Sequence, residues 1–313
     1  MRTIEQITIG TRCSRLAVRQ AESVAASLRL LFPQIPVTLK YIHTRGDKIV
    51  DRPLSAIGGK GLFTEEIERE ILAGTIDLAV HSLKDVPAEL PVDLTLGAIT
   101  KREPAQDAFV SCQYASLADL PQGARVGTSS LRRKAQLLHV RPDLDVSDLR
   151  GNVDTRLRRL DAGEYAAIIL AAAGLTRLQL ADRITAYLPA DEFIPAAGQG
   201  ALALETRAAD TAMLQLLEKL HDSETAACVT AERSFSRHIG GSCQIPAGAY
   251  GTIQQNRLIL RAVIASPDGR QSLCRSLAGA PADAEELGRH MATQMLAEGG
   301  SAILALSAKG ENL

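Results

Sequence analysis

Residues 7–44 read ITIGTRCSRLAVRQAESVAASLRLLFPQIPVTLKYIHT, and they hold two periodicities in succession. ITIG (Ile7 to Gly10) and PVTLKYIHT carry β-branched residues at a period near two and predict strands. Between them, SRLAVRQAESVAASLRLLF (Ser14 to Phe32) repeats apolar residues at helical spacing behind a serine suited to capping. A strand, a helix and a second strand in this order form the βαβ unit of a parallel sheet.

The same rhythm continues outward. LFTEEIEREILAG predicts a helix ending at Gly74, and IDLAVHS a third strand. TKREPAQ (Thr100 to Gln106) mixes charge with proline and reads as a hinge. Beyond it, DAFVS, ARVG, LDVSDLR and YAAIILA read as strands, and SSLRRKAQLLHV and NVDTRLRRLDAG as helices. A second α/β lobe is therefore expected over 105–194. IPAAGQG (194–200) would return the chain to the first lobe, with ALALETR as a strand and TAMLQLLEKL as a covering helix. The first domain then comprises 1–100 plus 200–219. After His221 a helix, strands separated by turns such as SPDG, and a closing helix (DAEELGRHMATQMLAEG) suggest a smaller α+β third domain over 220–313.

At 313 residues and 46% hydrophobic composition, each such domain has material for a core. Lys and Arg number 35 against 36 Asp and Glu, so no global field gathers nucleic acid or an anionic membrane, and a preference for anions must be local. The opening MRTIEQITIG lacks the apolar run of a signal peptide, and AAIILAAAGL (166–175) is too short to span a bilayer. Five cysteines, at 13, 112, 228, 243 and 274, form no CxxC and fit a reducing compartment, so a cytoplasmic protein is expected. Neither they nor the six histidines have zinc-ligand spacing, and no metal is expected.

The arginines tell more than the net charge. Arg12, the pair Arg132 and Arg133, Arg150 with Arg156, and Arg177 each follow a predicted strand, near the carboxyl ends where α/β sheets bind ligands. Guanidinium forks and helix N-termini there suit carboxylates or phosphates. Taken singly, each arginine is also an ordinary surface or capping partner; their recurrence at strand ends in both lobes points to a polyanion. Cys243 lies in GGSCQIPAGAY (240–250), a glycine-rich loop able to present a thiol. Cys228 and Cys274 fall within regular patterns and read as inert small hydrophobes, and Cys13 stands beside Arg12. In VHSLKDVP (80–87) a lysine and an aspartate sit side by side in the turn after an apolar strand, which on residues alone also describes a solvated turn.

In order, ITIGTRCSRLAVRQ, HTRGD, GGKGLF, VHSLKDVP, DAFVS, GTSSLRR, SDLRGNVDTRL, AAIILAAAGLTRL, PAAGQGALALE, TAERSF and GGSCQIPAGAY closely resemble the porphobilinogen deaminase (hydroxymethylbilane synthase) family, over nearly the whole chain. The resemblance implies two periplasmic-binding-protein-like α/β lobes joined by hinges, plus the smaller C-terminal domain. It implies a transferase of haem biosynthesis that joins four porphobilinogen molecules head to tail, with loss of ammonia, into the linear tetrapyrrole hydroxymethylbilane. The chain grows on a dipyrromethane cofactor bound covalently through a thioether, and Cys243 matches the attachment residue. Asp85 matches the catalytic aspartate, whose carboxylate would stabilise positive charge developing on a pyrrole nitrogen. Arg12, Ser14, Lys84, Thr128, Ser129, Arg132, Arg133, Arg150, Arg156, Arg177 and Gln199 match positions that bind the acetate and propionate groups of cofactor and substrate. His81 and Lys60 are further candidates. A monomer is implied, with no nucleic-acid or membrane partner. Lys101 to Gln106 departs from the acidic-Pro-Arg order usual before DAFVS. A rival reading, a two-lobed anion-binding module without catalysis, shares the expected fold but leaves a presented cysteine in a third domain unexplained.

Overall fold

Alternation on the first strand sets the first layer of the fold: Ile7 and Ile9 point one way into a wholly buried cluster with Ala21, Val24, Ala25 and Leu28 of the following helix. The computed structural model describes residues 4–48, 64–87, 89–240 and 245–309. Within these, the chain divides into two units, Met1–Glu103 with Gly200–Ala226, and Pro104–Gln199 with Ala227–Leu313.

The first unit is built on β1 (Ile7–Arg12), α1 (Arg15–Leu31), β2 (Val37–Ile42), the short α2 (Arg45–Lys48), α3 (Glu65–Leu72), β3 (Leu78–Ser82) and β4 (Leu94–Ile99). Its sheet has the order β2-β1-β3-β10-β4, and β10 (Leu202–Arg207) runs antiparallel to both neighbours while β1, β2 and β3 are parallel. Ser14 caps α1 by accepting a hydrogen bond from the amide of Ala17 at 3.3 Å. One sheet face, with Leu78, Val80, Leu202 and Leu204, packs on α1 and on α7 (Thr211–Leu217). The other, with Ala79, packs against Ile67 and Ile71 of α3. Gly200 adopts φ +92°, and a Cβ there would collide with the carbonyl of Glu103, so only glycine fits where these two segments of the unit meet.

The second unit holds two sheets. The five-stranded one has the order β7-β6-β8-β5-β9, from β5 (Asp107–Val110), β6 (Arg125–Gly127), β7 (Asp145–Ser147), β8 (Ala167–Ala171) and β9 (Ala186–Tyr187). β6 is parallel to β7 and β8. α4 (Leu131–Val140), α5 (Val153–Asp161) and α6 (Ala172–Arg177) follow β6, β7 and β8. Phe109, Val126, Leu137 and Ile169 form the core on one face, and Ala108, Leu157, Leu160, Ile168 and Leu170 that on the other. The smaller sheet is antiparallel, β11 (Ala247–Gln254), β12 (Arg257–Ala265) and β13 (Ser272–Gly279), and packs on α8 (Ser223–His238) and α9 (Ala284–Met295) through Phe235, Leu260, Ile264 and Met291.

Several expectations change at their edges. LDVSDLR yields a strand of only three residues, because side chains serve the backbone beyond it: Ser129 Oγ accepts from the Leu149 amide at 3.1 Å and donates to its carbonyl at 3.0 Å, and the Tyr165 hydroxyl donates to Asp148 O at 2.6 Å. β4 was missed, its LTLGAI interrupted by Gly97, at which a Cβ would press on Leu217 and Leu214. The closing helix is not the last element: after Met295 a π turn with Gly299 at φ +110° leads into α10 (Ser301–Lys309). Cys228 is buried as expected, whereas Cys274 lies exposed on β13.

Candidate functional site

The ends of parallel strands position the candidate residues in each unit separately. In the first, β1 and β3 are neighbours in parallel register, so Arg12 at the end of β1 and the turn after β3 lie along one sheet edge. That turn, Leu83–Asp85, is a single 3-10 turn anchored from beneath. The Leu83 side chain is fully buried, its amide donates to Ala201 O at 3.0 Å, and Val86 N closes the turn on Leu83 O at 3.1 Å. Gln20 of α1 donates to Ser82 Oγ at 2.8 Å. Lys84 is half-buried and Asp85 is exposed. His81 takes no part in that exposed edge: it is 6% exposed and pairs through Nε2 with Glu205 Oε2 at 3.0 Å.

In the second unit the β6–α4 and β7–α5 connections are laced together. Thr128 is buried, its amide donates to Ser147 O at 3.0 Å, and its hydroxyl accepts from the amide of Ser130, the cap of α4. The Ser129–Leu149 bonds bring the segment carrying Arg150 beside this turn. Arg150 Nη1 is buried with no hydrogen-bond partner among the described residues, a donor that a carboxylate would satisfy. Arg156, on α5, donates from Nε to Gly151 O at 2.8 Å, and Arg177 closes α6 beyond β8.

Arg132 and Arg133 have an internal occupation. Both are about as buried as the core, at 5% and 6% exposure, and converge on the wholly buried Asp107 at the start of β5. Arg132 Nη1 donates to Asp107 Oδ2 and to Ile194 O, each at 2.7 Å. Arg133 donates to Oδ1 from Nε at 2.9 Å and from Nη2 at 2.7 Å, and from Nη1 to Ile169 O at 3.1 Å. Gln199, also fully buried, adds Nε2 to Asp107 Oδ1 at 2.9 Å and to Ala105 O at 2.7 Å. Burial would push the Asp107 carboxyl up, but the two guanidiniums outweigh it and hold the group well below the ordinary carboxylate range. Arg132 Nε is buried without a partner among the described residues, as Arg150 Nη1 is.

Glu232 of α8, wholly buried, accepts at 2.7 Å from the amide of Gly198 and at 2.7 Å from that of Gly251, so it ties the 194–199 segment to β11. Cys243 and Lys60 lie outside the described residues. Asp107, Glu205 and Glu232 were absent from the residues singled out in the sequence. The signal available was an acidic residue inside an otherwise apolar strand or helix face, which must find a donor once buried. Among the described residues no helix is long and apolar enough to cross a membrane.

With this geometry in place, comparison with known proteins is direct. A family model described as "Porphobilinogen deaminase, dipyromethane cofactor binding domain" matches residues 7–215, and one described as "Porphobilinogen deaminase, C-terminal domain" matches 226–297. A porphobilinogen deaminase of Syntrophotalea carbinolica is 51% identical over 96% of this chain and 95% of its own length. Those of Bordetella parapertussis and Thiobacillus denitrificans are each 52% identical, over 97% and 95% of this chain and 97% of their own lengths. Among solved structures, the methionine-binding protein MetQ is similar at a TM-score of 0.45, with 14% identity over 70% of this chain and 89% of that protein.

Proposed function

The chain belongs to the porphobilinogen deaminase family, and from that premise we propose that it assembles hydroxymethylbilane from four porphobilinogen molecules, with Asp85 as the catalytic carboxylate and Cys243 as the attachment point of the dipyrromethane. It is a transferase of tetrapyrrole biosynthesis. The observation that carries the assignment of roles is the anchored turn after β3: an exposed carboxylate on a backbone fixed by buried neighbours is a preorganised electrostatic group. Our reading keeps the division into 1–100 plus 200–219, 105–194 and 220–313, and a cytoplasmic monomer acting on a small-molecule substrate with no nucleic-acid or membrane partner.

The donor set fits a dipyrromethane. Its acetate and propionate groups need cationic and hydroxyl donors, and the second unit supplies Thr128, Ser129, Arg150, Arg156 and Arg177, with Arg150 Nη1 a buried donor that has no acceptor among the described residues. Arg12, Ser14 and Lys84 supply donors in the first unit. When bound, the group provides the free pyrrole end from which the chain is extended. Charge-assisted hydrogen bonds of this kind contribute about 1.5 to 3 kcal/mol each. Arg132, Arg133 and Gln199 support this set from inside, since their contacts with Asp107 fix α4 against β5. Asp85 holds a negative charge where the reacting pyrrole nitrogen becomes positive as ammonia leaves, and can exchange the proton of that nitrogen. Lys84, beside it, offsets the substrate carboxylates.

The intact mass of the purified protein and of Cys243→Ala tests this. A wild-type mass above the sequence mass by one dipyrromethane, acquired directly or after incubation with porphobilinogen and missing in the variant, is the expected result. A wild type that never gains it is a carboxylate-binding protein and not a synthase.

A further inference from the structure

Besides Arg207, which donates to Ile71 O of α3 at 2.8 Å and to Asp77 Oδ1 at 3.4 Å, the face of the first sheet under α3 buries a charged pair among apolar residues. Period-two alternation directs Leu78 and Val80 to the α1 side and Ala79 and His81 to the α3 side; Leu202 and Leu204 on β10 likewise leave Glu205 facing α3. His81 is in register with Ala203, so Glu205 is its diagonal neighbour, and their side chains are 5% and 1% exposed. Ile67 and Ile71 surround this face, and α3 adds one more polar group, Glu68, at 9% exposure. Burial is the main force pushing the Glu68 carboxyl up, and Glu205 adds to it. Glu205 Oε1 has no hydrogen-bond partner among the described residues, so within them the pair keeps one acceptor unmet in the core. Burying a half-satisfied carboxylate is costly, and natural sequences retain such groups where they serve a site.

What lies above it is the turn that presents Asp85. His81 is the penultimate residue of β3, and Leu83–Asp85 follow Ser82 directly. Backbone pairing fixes the path of the strand, and the Gln20–Ser82 bond fixes it from the α1 side. The His81–Glu205 bond is the corresponding tie on the α3 side.

We propose that His81 and Glu205 form a buried positioning couple for Asp85, clamping the end of β3 so that the carboxylate keeps one direction toward the substrate. Neither touches the reacting atoms. The inference rests on Asp85 being the catalytic carboxylate, and the experiment separates the two claims. Steady-state kinetics with porphobilinogen are measured on the holoenzyme as wild type, Glu205→Gln, His81→Asn, Asp85→Asn and the double variant Glu205→Gln/Asp85→Asn, with folded fraction checked by circular dichroism and cofactor loading by intact mass. Glu205→Gln or His81→Asn should lower kcat tenfold or more with KM within twofold, in folded and loaded protein. In the Asp85→Asn background, Glu205→Gln should change the residual rate less than twofold. Equal losses in both backgrounds, or a loss confined to KM or to stability, would overturn the couple while leaving Asp85 in place. Near wild-type turnover in Asp85→Asn would instead remove the premise. Should Glu205→Gln fail to fold, His81→Asn carries the same test alone and with Asp85→Asn.

Discussion

Two adjacent charged pairs follow parallel strands in this protein and meet opposite fates. Lys84 and Asp85, after β3, are half-buried and exposed; Arg132 and Arg133, after β6, are about 5% and 6% exposed and bound to Asp107. In sequence the arginine pair reads as an anion site at a strand end, and Lys84 with Asp85 as a turn that is solvated on residues alone and catalytic by family resemblance. The difference is the partner: β5 begins with an aspartate whose side chain points inward at α4, whereas the backbone turn after β3 buries Leu83 and turns its two charged neighbours outward. A charge at a strand end is thus turned outward when the turn's apolar residue takes the core position, and drawn inward when the core holds a counter-charge.

The largest effect should come from breaking the presented side. Asp85→Asn keeps shape and removes charge, and turnover should fall by about a hundredfold or more, the scale for losing one preorganised electrostatic group, with the melting midpoint unchanged because the side chain is exposed. Activity close to wild type in the folded variant would make the two pairs alike in being structural.

Breaking the inward side should act on stability instead. Asp107→Asn leaves two buried guanidiniums without their carboxylate, and unfolding free energy should drop by roughly 3 to 5 kcal/mol. The pH dependence has a definite sign. The folded carboxyl is held below its ordinary value of 3.8, so the wild type binds fewer protons than its unfolded chain in that range; its advantage over the variant is complete above pH 3.8 and shrinks as pH falls beneath it. Denaturant titrations of both proteins across that range measure the difference, and a gap that does not close in acid would mean that the carboxylate charge is not what holds the arginines.

The smallest effect sharpens the contrast by touching neither pair. Gly200→Ala forces an L side chain into φ +92° against the Glu103 carbonyl, which should cost on the order of 1 to 3 kcal/mol with turnover per folded molecule retained. A neutral outcome in the same titration would show that the 200–207 segment gives way locally.

Much of the fold was legible because periodicity is a local property. The Ser14-capped helix, the apolar strands IDLAV and AAIILA, and α5 within NVDTRLRRLDAG follow from patterns within a dozen or so residues. The strand expected over LDVSDLR contracted because Ser129, twenty residues away, claims Leu149, and no window of the sequence contains both. Of the candidate residues, sequence placed Asp85 and Lys84 in a turn and the arginines after strands; which arginines meet a buried counter-charge depended on Asp107, which reads simply as the first letter of DAFVS.

The sequence by itself determined the alternation of elements, the absence of a global charge preference, and the motifs whose order carries the family resemblance. Tertiary structure alone decided that Arg132 and Arg133 bond to Asp107, that Gln199 joins them, that His81 faces Glu205, and that Glu232 spans Gly198 and Gly251. The physical reason is common to all four. A strand or helix pattern states which face a side chain occupies, but a buried charge is settled by the groups that reach it from other elements, and those pairings span 19 to 124 residues of chain.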